Sequence, residues 1–437
     1  MKKVLFVTYF WPPSGKASLH WPFDMIKYLP ESNWHPVVLT AAQDTFSQKD
    51  ESLLSEIDPN LLVLKTNSPE PFNFYKRFLG KDKNEILVAS ETISQTRKGL
   101  KHKIAIWIRM NLFIPDARMG WYFPSVVEGR KFLTGNYFDS IVSIGPPHTS
   151  HLIAKRLSKM FGIPHIPVFI DPWTDIIYYK NFKRDKLTLA IDNYLEKRVL
   201  LNAKKVVFIT ETMRNDYVQK YDWLKNKSNI LYWGYDEKSF NSLPPNHPDK
   251  SGQALPKAGG DGILNNQESP EILLHAGNIF DYQNPKALWK FISELNAKGR
   301  KIKIKFIGTV GPEIKKSLEA NGLNNITELI GFLNYSDMLA ELHKASYLMV
   351  CASEPRHVPG KLFEYLRTGK PIIAFGDDNH EVSKFLSEAN AGMLFSYSQD
   401  GHEFFDNAQK FNTNISFVKK FDRRNIAKDL AEIMNHI

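Results

Sequence analysis

The stretch CASEPRHVPGKLFEYLRTGKPIIAFG, residues 351–376, is the most informative part of this sequence. The apolar run Tyr347–Cys351 leads into it, and a polar loop with two prolines follows. Lys361–Thr368 then has the pattern of a short helix closed by Gly369, and residues 371–375 form a second apolar run. This order predicts a strand, a loop, a helix and a strand. In such a unit the helix N-terminus lies at the carboxyl end of the sheet, where free N–H groups attract anions such as a diphosphate.

Two charged residues of this helix are candidates for a site. Lys361 falls in the first turn and Glu364 follows three residues later, so both side chains can lie on one face. By itself such a pair is more often solvated surface. The surrounding sequence, however, resembles the donor-binding motif of GT-B glycosyltransferases of the family-4 type. The matching residues are Pro359, Gly360, Lys361, Leu362, Phe363, Glu364, Tyr365, Gly369, Lys370 and Pro371.

The resemblance implies roles for residues of this motif and of the loop before it. Lys361 is implied to meet the donor diphosphate and to act in catalysis, and Glu364 is implied to hold the nucleotide ribose. The family's paired glutamates stand eight residues apart, which puts the first at Arg356, whereas this sequence has its glutamate at Glu354. The donor-binding residues predicted here are Glu354, Arg356, Gly360, Lys361, Leu362 and Glu364.

Other segments resemble further parts of the family's donor site. The implied contacts are Gly15 near the donor phosphates and the acceptor, Gly277 and Asn278 at the phosphates, and Gly331, Phe332 and Leu333 at the nucleotide base. Many relatives carry an arginine after the strand glycine and a lysine soon afterwards. Here those positions hold Asn278 and, approximately, Gln283 or Asn284. Neutralisation of the negative charge of the donor phosphates therefore depends mainly on Lys361, with Arg356 or Lys16 as further cations.

Two candidate catalytic residues follow predicted strands in the N-terminal half. His148 lies in GPPHTS, residues 145–150, where a histidine can bind phosphate or carry protons, although a structural histidine is at least as common there. Thr149 or Ser150 can cap the helix that follows. Asp171 ends the apolar run 163–170, and a carboxylate at that place in an α/β sheet is a common active-site residue. The resemblance implies that Asp171 lies beside the reacting sugar; the alternative is a helix N-cap.

Apolar runs alternate regularly with helical patterns, which predicts an α/β fold with doubly wound parallel sheets. The resemblance implies the GT-B form, in which two Rossmann-like domains face each other across a cleft and the C-terminal helix crosses back to the first domain. We predict an N-terminal acceptor-side domain of residues 1–240 with helix 422–437. Residues 241–270, rich in Pro, Gly, Asn and Asp, read as a linker, and residues 271–421 form the donor-binding domain.

Composition limits the partners. The net charge of +10 and the pI near 9.2 favour anionic partners, but no nucleic-acid-binding motif stands out. A single cysteine, Cys351, excludes an internal disulfide, and with no apolar segment of membrane-spanning length we expect a cytoplasmic protein. Residues 72–111 are basic and aromatic, typical of a segment that lies on anionic lipid at the inner membrane face. A helix pair with solvated lysines explains them equally well.

The predicted function is transfer of a sugar from a nucleotide-sugar donor to a glycan or lipid-linked acceptor, in bacterial surface polysaccharide synthesis. The resemblance implies a retaining reaction, with a UDP-sugar as a candidate donor, while the sequence itself leaves the sugar, the nucleotide base and the acceptor open. We expect no cofactor and no metal, because no DXD-like carboxylate pair stands at a strand end and a cationic protein site would take the metal's place. The alternatives are a sugar-nucleotide epimerase on the same scaffold and a non-catalytic nucleotide-sugar-binding protein. A Rossmann dehydrogenase is disfavoured because no G-x-G-x-x-G follows the first strand.

Overall fold

A computed structural model of the chain describes residues 1–42, 46, 49–69, 100–174, 184–241, 269–352 and 354–437. The chain divides into two compact units, Met1–Tyr232 with Ile426–Ile437, and Trp233–Asn425. Most of the predicted linker and of the basic segment 72–111 therefore lies outside the described residues.

The first unit ends at Tyr232, whereas the sequence placed the end of the first domain at residue 240. Residues 233–241 go with the second unit because Tyr235 donates its N–H to the Phe421 carbonyl at 3.0 Å and Glu237 forms an ion pair with Arg367. These contacts join segments more than a hundred residues apart, so no local pattern announces them.

The first unit is built on a parallel sheet of seven strands. They are β1 (Lys2–Val7), β2 (Trp34–Ala41), β3 (Val63–Thr66), β4 (Ser140–Gly145), β5 (His165–Phe169), β6 (Val206–Phe208) and β7 (Ser228–Ile230). Their order in the sheet is β3-β2-β1-β4-β5-β6-β7. All residues of β4 and β5 are buried, as expected for parallel strands covered on both faces.

Helices connect these strands. They are α1 (His20–Tyr28), α2 (Leu100–Asn111), α3 (Tyr122–Leu133), α4 (Thr149–Phe161), α5 (Lys186–Asn202) and α6 (Glu211–Lys220). Leu133, Ile153 and Leu157 of α3 and α4 pack with Leu5 and Val37 of the sheet in one apolar core.

The second unit has a parallel sheet of six strands. They are β8 (Glu271–Ala276), β9 (Ile302–Ile307), β10 (Thr327–Gly331), β11 (Tyr347–Cys351), β12 (Ile372–Phe375) and β13 (Gly392–Phe395), in the order β10-β9-β8-β11-β12-β13. Its helices are α7 (Glu237–Asn241), α8 (Lys286–Ala297), α9 (Pro312–Ala320), α10 (Tyr335–Lys344), α11 (Lys361–Thr368), α12 (His380–Glu388), α13 (His402–Asn407), α14 (Ile415–Val418) and α15 (Arg423–Asn435). Residues 426–437, which include most of α15, belong to the first unit.

Both sheets follow the strand order 3-2-1-4-5-6 of a doubly wound fold, so the predicted fold class is confirmed. In this order the first three strands are added towards one edge of the sheet and the next three towards the other, so the order reverses at a switch point. Ligands bind beside that switch point, at the carboxyl ends of the strands. The switch points lie between β1 and β4 in the first unit and between β8 and β11 in the second. Among the described residues no helix combines the length and the apolar character needed to cross a bilayer.

Candidate functional site

Glycines form the floor of the candidate site at the carboxyl edge of the second sheet. Gly277 follows β8 and Gly308 follows β9, with positive φ angles of 111° and 102° that favour glycine. A Cβ on Gly308 would lie 2.8 Å from the carbonyl carbon of Gly277, so the two turns pack backbone against backbone. The N–H of Gly308 donates to the carbonyl of Gly331 at the end of β10. Sequence analysis selected Gly277 and Gly331 but missed Gly308.

Lys361 begins α11 and places its ammonium over this floor. A Cβ on Gly277 would lie 2.5 Å from Nζ, which shows how closely the lysine approaches the glycine backbone. Nζ is 3.1 Å from Nε2 of His275, whose Nδ1 is 2.9 Å from the Met349 carbonyl oxygen. Because a carbonyl oxygen only accepts, Nδ1 carries the proton and Nε2 accepts a hydrogen bond from the lysine. His275 therefore holds Lys361 in place.

The electrostatics keep this lysine charged near neutral pH. Burial lowers the pKa of Lys361 to about 8, and the neighbouring Glu364 acts in the opposite direction. Burial, followed by the charge of Lys361, lowers the pKa of His275 well below its ordinary value, so His275 is neutral and serves as an acceptor. The sequence offered no signal for His275, which lies in the buried strand β8.

The start of α11 adds free donors to the ammonium. The N–H groups of Gly360 and Lys361 have no acceptor in the described part of the chain, whereas Leu362 N–H donates to the Pro359 carbonyl and Phe363 N–H to that of Gly360. Free N–H groups and a lysine at a helix start form an anion-binding arrangement. Leu362, also predicted in the donor site, has its side chain fully buried in the core and its N–H bonded to the Pro359 carbonyl.

Glu364 lies close enough to Lys361 for their charges to act on each other. Its Oε1 is 3.4 Å from both the Tyr335 hydroxyl and an Arg423 nitrogen, while Oε2 is buried and has no hydrogen-bond partner in the described part of the chain. Burial raises the pKa of Glu364 and the Arg423 guanidinium opposes this shift. An unsatisfied buried carboxylate oxygen is costly, and a ligand hydroxyl would relieve that cost.

Replacing Glu364 by glutamine is expected to weaken nucleotide binding about tenfold, since one charge-assisted hydrogen bond to a ribose hydroxyl would be lost. Isothermal titration with a nucleoside diphosphate measures the effect. Glu294→Gln is the matched control, because Glu294 is an exposed residue of α8 that is not among the predicted donor contacts. Equal nucleotide affinities of the Glu364→Gln variant and the unaltered chain would remove Glu364 from the site.

Two charged residues of the loop before α11 pair with each other. Arg356 and Glu354 form an ion pair of 3.3 Å, and the Asn379 amide donates to the carbonyls of Glu354 and His357. Arg356, predicted as a phosphate ligand, therefore has its charge partly neutralised by its neighbour Glu354.

The other predicted donor contacts are also partly occupied. The Asn278 side chain accepts a hydrogen bond from Thr309 N–H at 3.0 Å, which ties the ends of β8 and β9 together. Gln283 donates to the Cys351 carbonyl and Asn284 accepts from Trp289, so both buried amides hold the core rather than replace a missing lysine. Phe332, in contrast, is 65% exposed and available for a base.

The first unit carries a second group of polar residues beside its switch point. Gly15 and Lys16 lie in the loop after β1, and burial together with the nearby charge of Arg118 lowers the pKa of Lys16. The Thr149 N–H and hydroxyl donate to Asp116 at 2.9 and 3.0 Å. The predicted cap of α4 by Thr149 or Ser150 is therefore wrong: a carboxylate from a distant loop takes that place.

His148, one of the predicted catalytic residues, is the residue before α4. It is buried and stacks on the Trp173 indole with ring centroids 4.7 Å apart, instead of facing solvent. Asp171 lies partly exposed two residues after β5, in a loop that other contacts hold firmly. In that loop Trp173 donates its indole N–H to Asp192 at 2.7 Å and its backbone N–H to the Tyr217 hydroxyl at 2.9 Å.

Behind this loop lies a cluster of buried histidines. The Ser143 hydroxyl is 2.7 Å from Nδ1 of His151 and from Nε2 of His165, so it donates to one ring and accepts from the other. Burial lowers the pKa of His148 and of His165 to about 3, and that of His151 also falls well below its ordinary value. All three rings are therefore neutral in the folded chain at neutral pH.

This cluster predicts a steep loss of stability in mild acid. Below about pH 6.5 the unfolded chain takes up protons that the folded chain cannot, so the free energy of unfolding falls by about 1.4 kcal/mol per pH unit for each buried histidine. His165→Gln is expected to make this slope shallower by about that amount between pH 6 and 4. Urea unfolding followed by circular dichroism measures it, with the exposed His436→Gln as control. The same slope in both variants would contradict the assignment.

Among the described residues no group of His, Cys, Asp and Glu side chains is arranged to hold a metal ion. The chain has two doubly wound sheets, and a helix start with an anion-binding arrangement lies at the carboxyl edge of the second sheet. These are features of the GT-B class of fold. Residues 261–412 match the sequence profile described as Glycosyl transferases group 1. A search of proteins with curated function found no significant match.

Solved structures share the fold over the whole chain. HepE of Anabaena, crystallised with UDP, is 12% identical with a TM-score of 0.63, covering 100% of both chains. The lipopolysaccharide outer core galactosyltransferase WaaB is 12% identical with a TM-score of 0.57, covering 99% of each. Sucrose-phosphate synthase of Thermosynechococcus elongatus is 12% identical with a TM-score of 0.56, covering 100% of this chain and 94% of that one. Identities this low establish the fold alone.

Proposed function

We propose that this protein is a glycosyltransferase that moves a sugar from a nucleotide-sugar, with UDP as its nucleotide, to a glycan or lipid-linked acceptor. The observation that carries the proposal is the Lys361 ammonium, held by His275 over the Gly277 backbone beside the free N–H groups of Gly360 and Lys361. The family match supports sugar transfer. HepE has been crystallised with UDP and with UDP-glucose, which supports the choice of nucleotide.

The chemistry follows from charge. Breaking the anomeric bond moves negative charge onto the departing diphosphate, and a fixed ammonium with two N–H donors stabilises that charge more than it stabilises the intact donor. Glu364 would orient the nucleotide through its unsatisfied oxygen. In this proposal the cationic protein groups replace a metal ion, and transfer retains the anomeric configuration, as in the family-4 enzymes that the motif resembles.

The proposal extends to the acceptor and to the place of action. Asp171, partly exposed after β5, is proposed to lie beside the reacting sugar, and buried His148 supports its loop through Trp173. The acceptor would be a bacterial surface polysaccharide or its lipid-linked precursor. A lipid-linked acceptor would bring the protein to the cytoplasmic face of the membrane, in contact with anionic lipid.

A screen of nucleoside diphosphates and their sugars by thermal unfolding, followed by an assay for nucleotide release, tests the proposal. UDP is expected to raise the melting temperature, because a ligand that binds only the folded chain stabilises it by mass action. Released UDP together with a glycosylated acceptor would support the transferase. Binding without turnover would indicate a nucleotide-sugar-binding protein, and an epimerised donor would indicate an epimerase. No shift with any nucleotide would overturn the proposal.

A further inference from the structure

Helix α5 buries polar side chains on the face where a surface helix normally buries apolar ones, and it exposes several large apolar side chains. The buried residues are Thr188, Asp192 and Glu196, followed by Val199 and Leu200 at the C-terminal end. Its exposed face carries large apolar side chains with high exposed fractions: Leu187 (72%), Ile191 (40%), Tyr194 (60%) and Leu201 (50%). A surface helix normally buries its apolar residues, so this arrangement needs a cause.

The buried carboxylates explain only the inner face. Asp192 pairs with Arg184 and accepts from Trp173, while Glu196 pairs with Lys220 and accepts from the Tyr217 hydroxyl at 2.9 Å. These bonds fix the loop that carries Asp171. They do not account for the apolar residues outside.

These exposed apolar residues lie along one side of the helix, and the exposed Arg198 lies among them between Tyr194 and Leu201. At about 100° per residue, positions 187, 191, 194 and 201 fall within roughly 80° around the helix axis and span about 21 Å along it. We call these four side chains the α5 stripe. Trp107 of α2 and Leu112, the residue after the end of α2, are also exposed. The Asn111 side chain accepts a hydrogen bond from Asp185 N–H at the start of α5 at 2.7 Å.

The surface around the stripe is strongly basic. Apart from Asp185, the exposed or partly exposed charged residues of α4, of α5 and of its N-cap are positive: Lys155, Arg156, Lys159, Lys186, Lys197 and Arg198. None of these six forms an ion pair within the described part of the chain. Burial and then the charges of Lys159 and Arg198 lower the pKa of Lys155, so the cations are close enough to repel one another.

We propose that the α5 stripe and the cations beside it form a docking surface for an anionic lipid bilayer. A helix with an apolar face flanked by Lys and Arg lies in the interface of such a membrane, with negative headgroups opposite the cations. A second copy of this chain would bring the same positive surface against itself, which is repulsive. A nucleic acid would satisfy the charges but leave the apolar stripe in water.

This surface gives the proposed membrane contact a location, and its test is independent of sugar transfer. The purified chain is sedimented, without any nucleotide, with phosphatidylcholine vesicles or with vesicles containing about one third phosphatidylglycerol. Only the anionic vesicles are expected to bind, and high salt should weaken the binding. Tyr194→Glu is expected to lower vesicle affinity about tenfold or more, because it puts a negative charge in the stripe.

Tyr137→Glu is the matched control, since Tyr137 is 77% exposed and lies outside the stripe. Lys197→Glu with Arg198→Glu is expected to remove the preference for anionic vesicles, and light scattering on each variant verifies that it remains dispersed. Equal vesicle affinities of the Tyr194→Glu and Tyr137→Glu variants would overturn the proposal. Equal affinities of the unaltered chain for vesicles with and without phosphatidylglycerol would also overturn it. A dimer that Tyr194→Glu dissociates would show a second copy as the occupant and would also overturn it.

Discussion

Replacing Lys361 by alanine is expected to lower the turnover of the nucleotide-sugar about a hundredfold or more, because the variant loses the cation that faces the departing diphosphate. The ammonium acts in a partly buried site, where water screens it little and where its position is set in advance by His275. The measurement is the rate of nucleotide release at saturating donor.

A control separates this effect from a general loss of positive charge. Lys344→Ala removes a lysine that pairs with Glu341 on the exposed side of α10, and its turnover is expected to stay normal. The unaltered chain should also lose nucleotide affinity as the pH rises through about 8, where Lys361 gives up its proton, and Lys361→Ala should lack this decline. Near-normal turnover of Lys361→Ala would refute the assigned role.

Gly277→Ala is expected to have the next largest effect, lowering turnover about tenfold to a hundredfold. The new Cβ would stand 2.5 Å from Nζ of Lys361, so the ammonium must leave its position against the backbone and its hydrogen bond to His275. The φ angle of 111° adds a backbone cost of about 1–3 kcal/mol in stability. Turnover and thermal unfolding are measured together.

Gly299→Ala is the control for the backbone cost. Gly299 has a φ angle of 97°, and a Cβ there would meet no atom within 4 Å. This variant is expected to lose stability like Gly277→Ala while keeping its turnover. If both variants keep full turnover, the close approach of Lys361 to Gly277 has no part in donor binding.

The site in the second unit shows which contacts a local pattern can predict. Lys361 at the start of α11 and Gly277 after β8 could both be predicted, because the residues around a helix start and around a glycine that ends a strand form recognisable patterns. His275 could not be predicted in this way, since its partners are Met349 and Lys361, more than seventy residues away. Arg423, which approaches Glu364 from the C-terminal helix, was missed for the same reason.

Two of the predicted site residues, Leu362 and His148, are buried for related reasons. Leu362 belongs to the motif but is a core residue, because on a short helix only one face can meet a ligand and the other must pack on the sheet. His148 follows β4 as predicted, yet Trp173 from the next loop covers it. A strand end specifies the edge of a sheet but not which neighbouring loop folds over it.

The order of strands and helices and the motif around α11 could be predicted from local sequence, because apolar periodicity, turn residues and helix caps act between neighbours in the chain. Four features depend on the tertiary structure: His275 orients Lys361, one oxygen of Glu364 has no partner among the described residues, Asp116 caps α4, and α5 exposes several large apolar side chains. Each of these depends on groups far apart in the chain, brought together only when the sheets form and bury their polar atoms against one another.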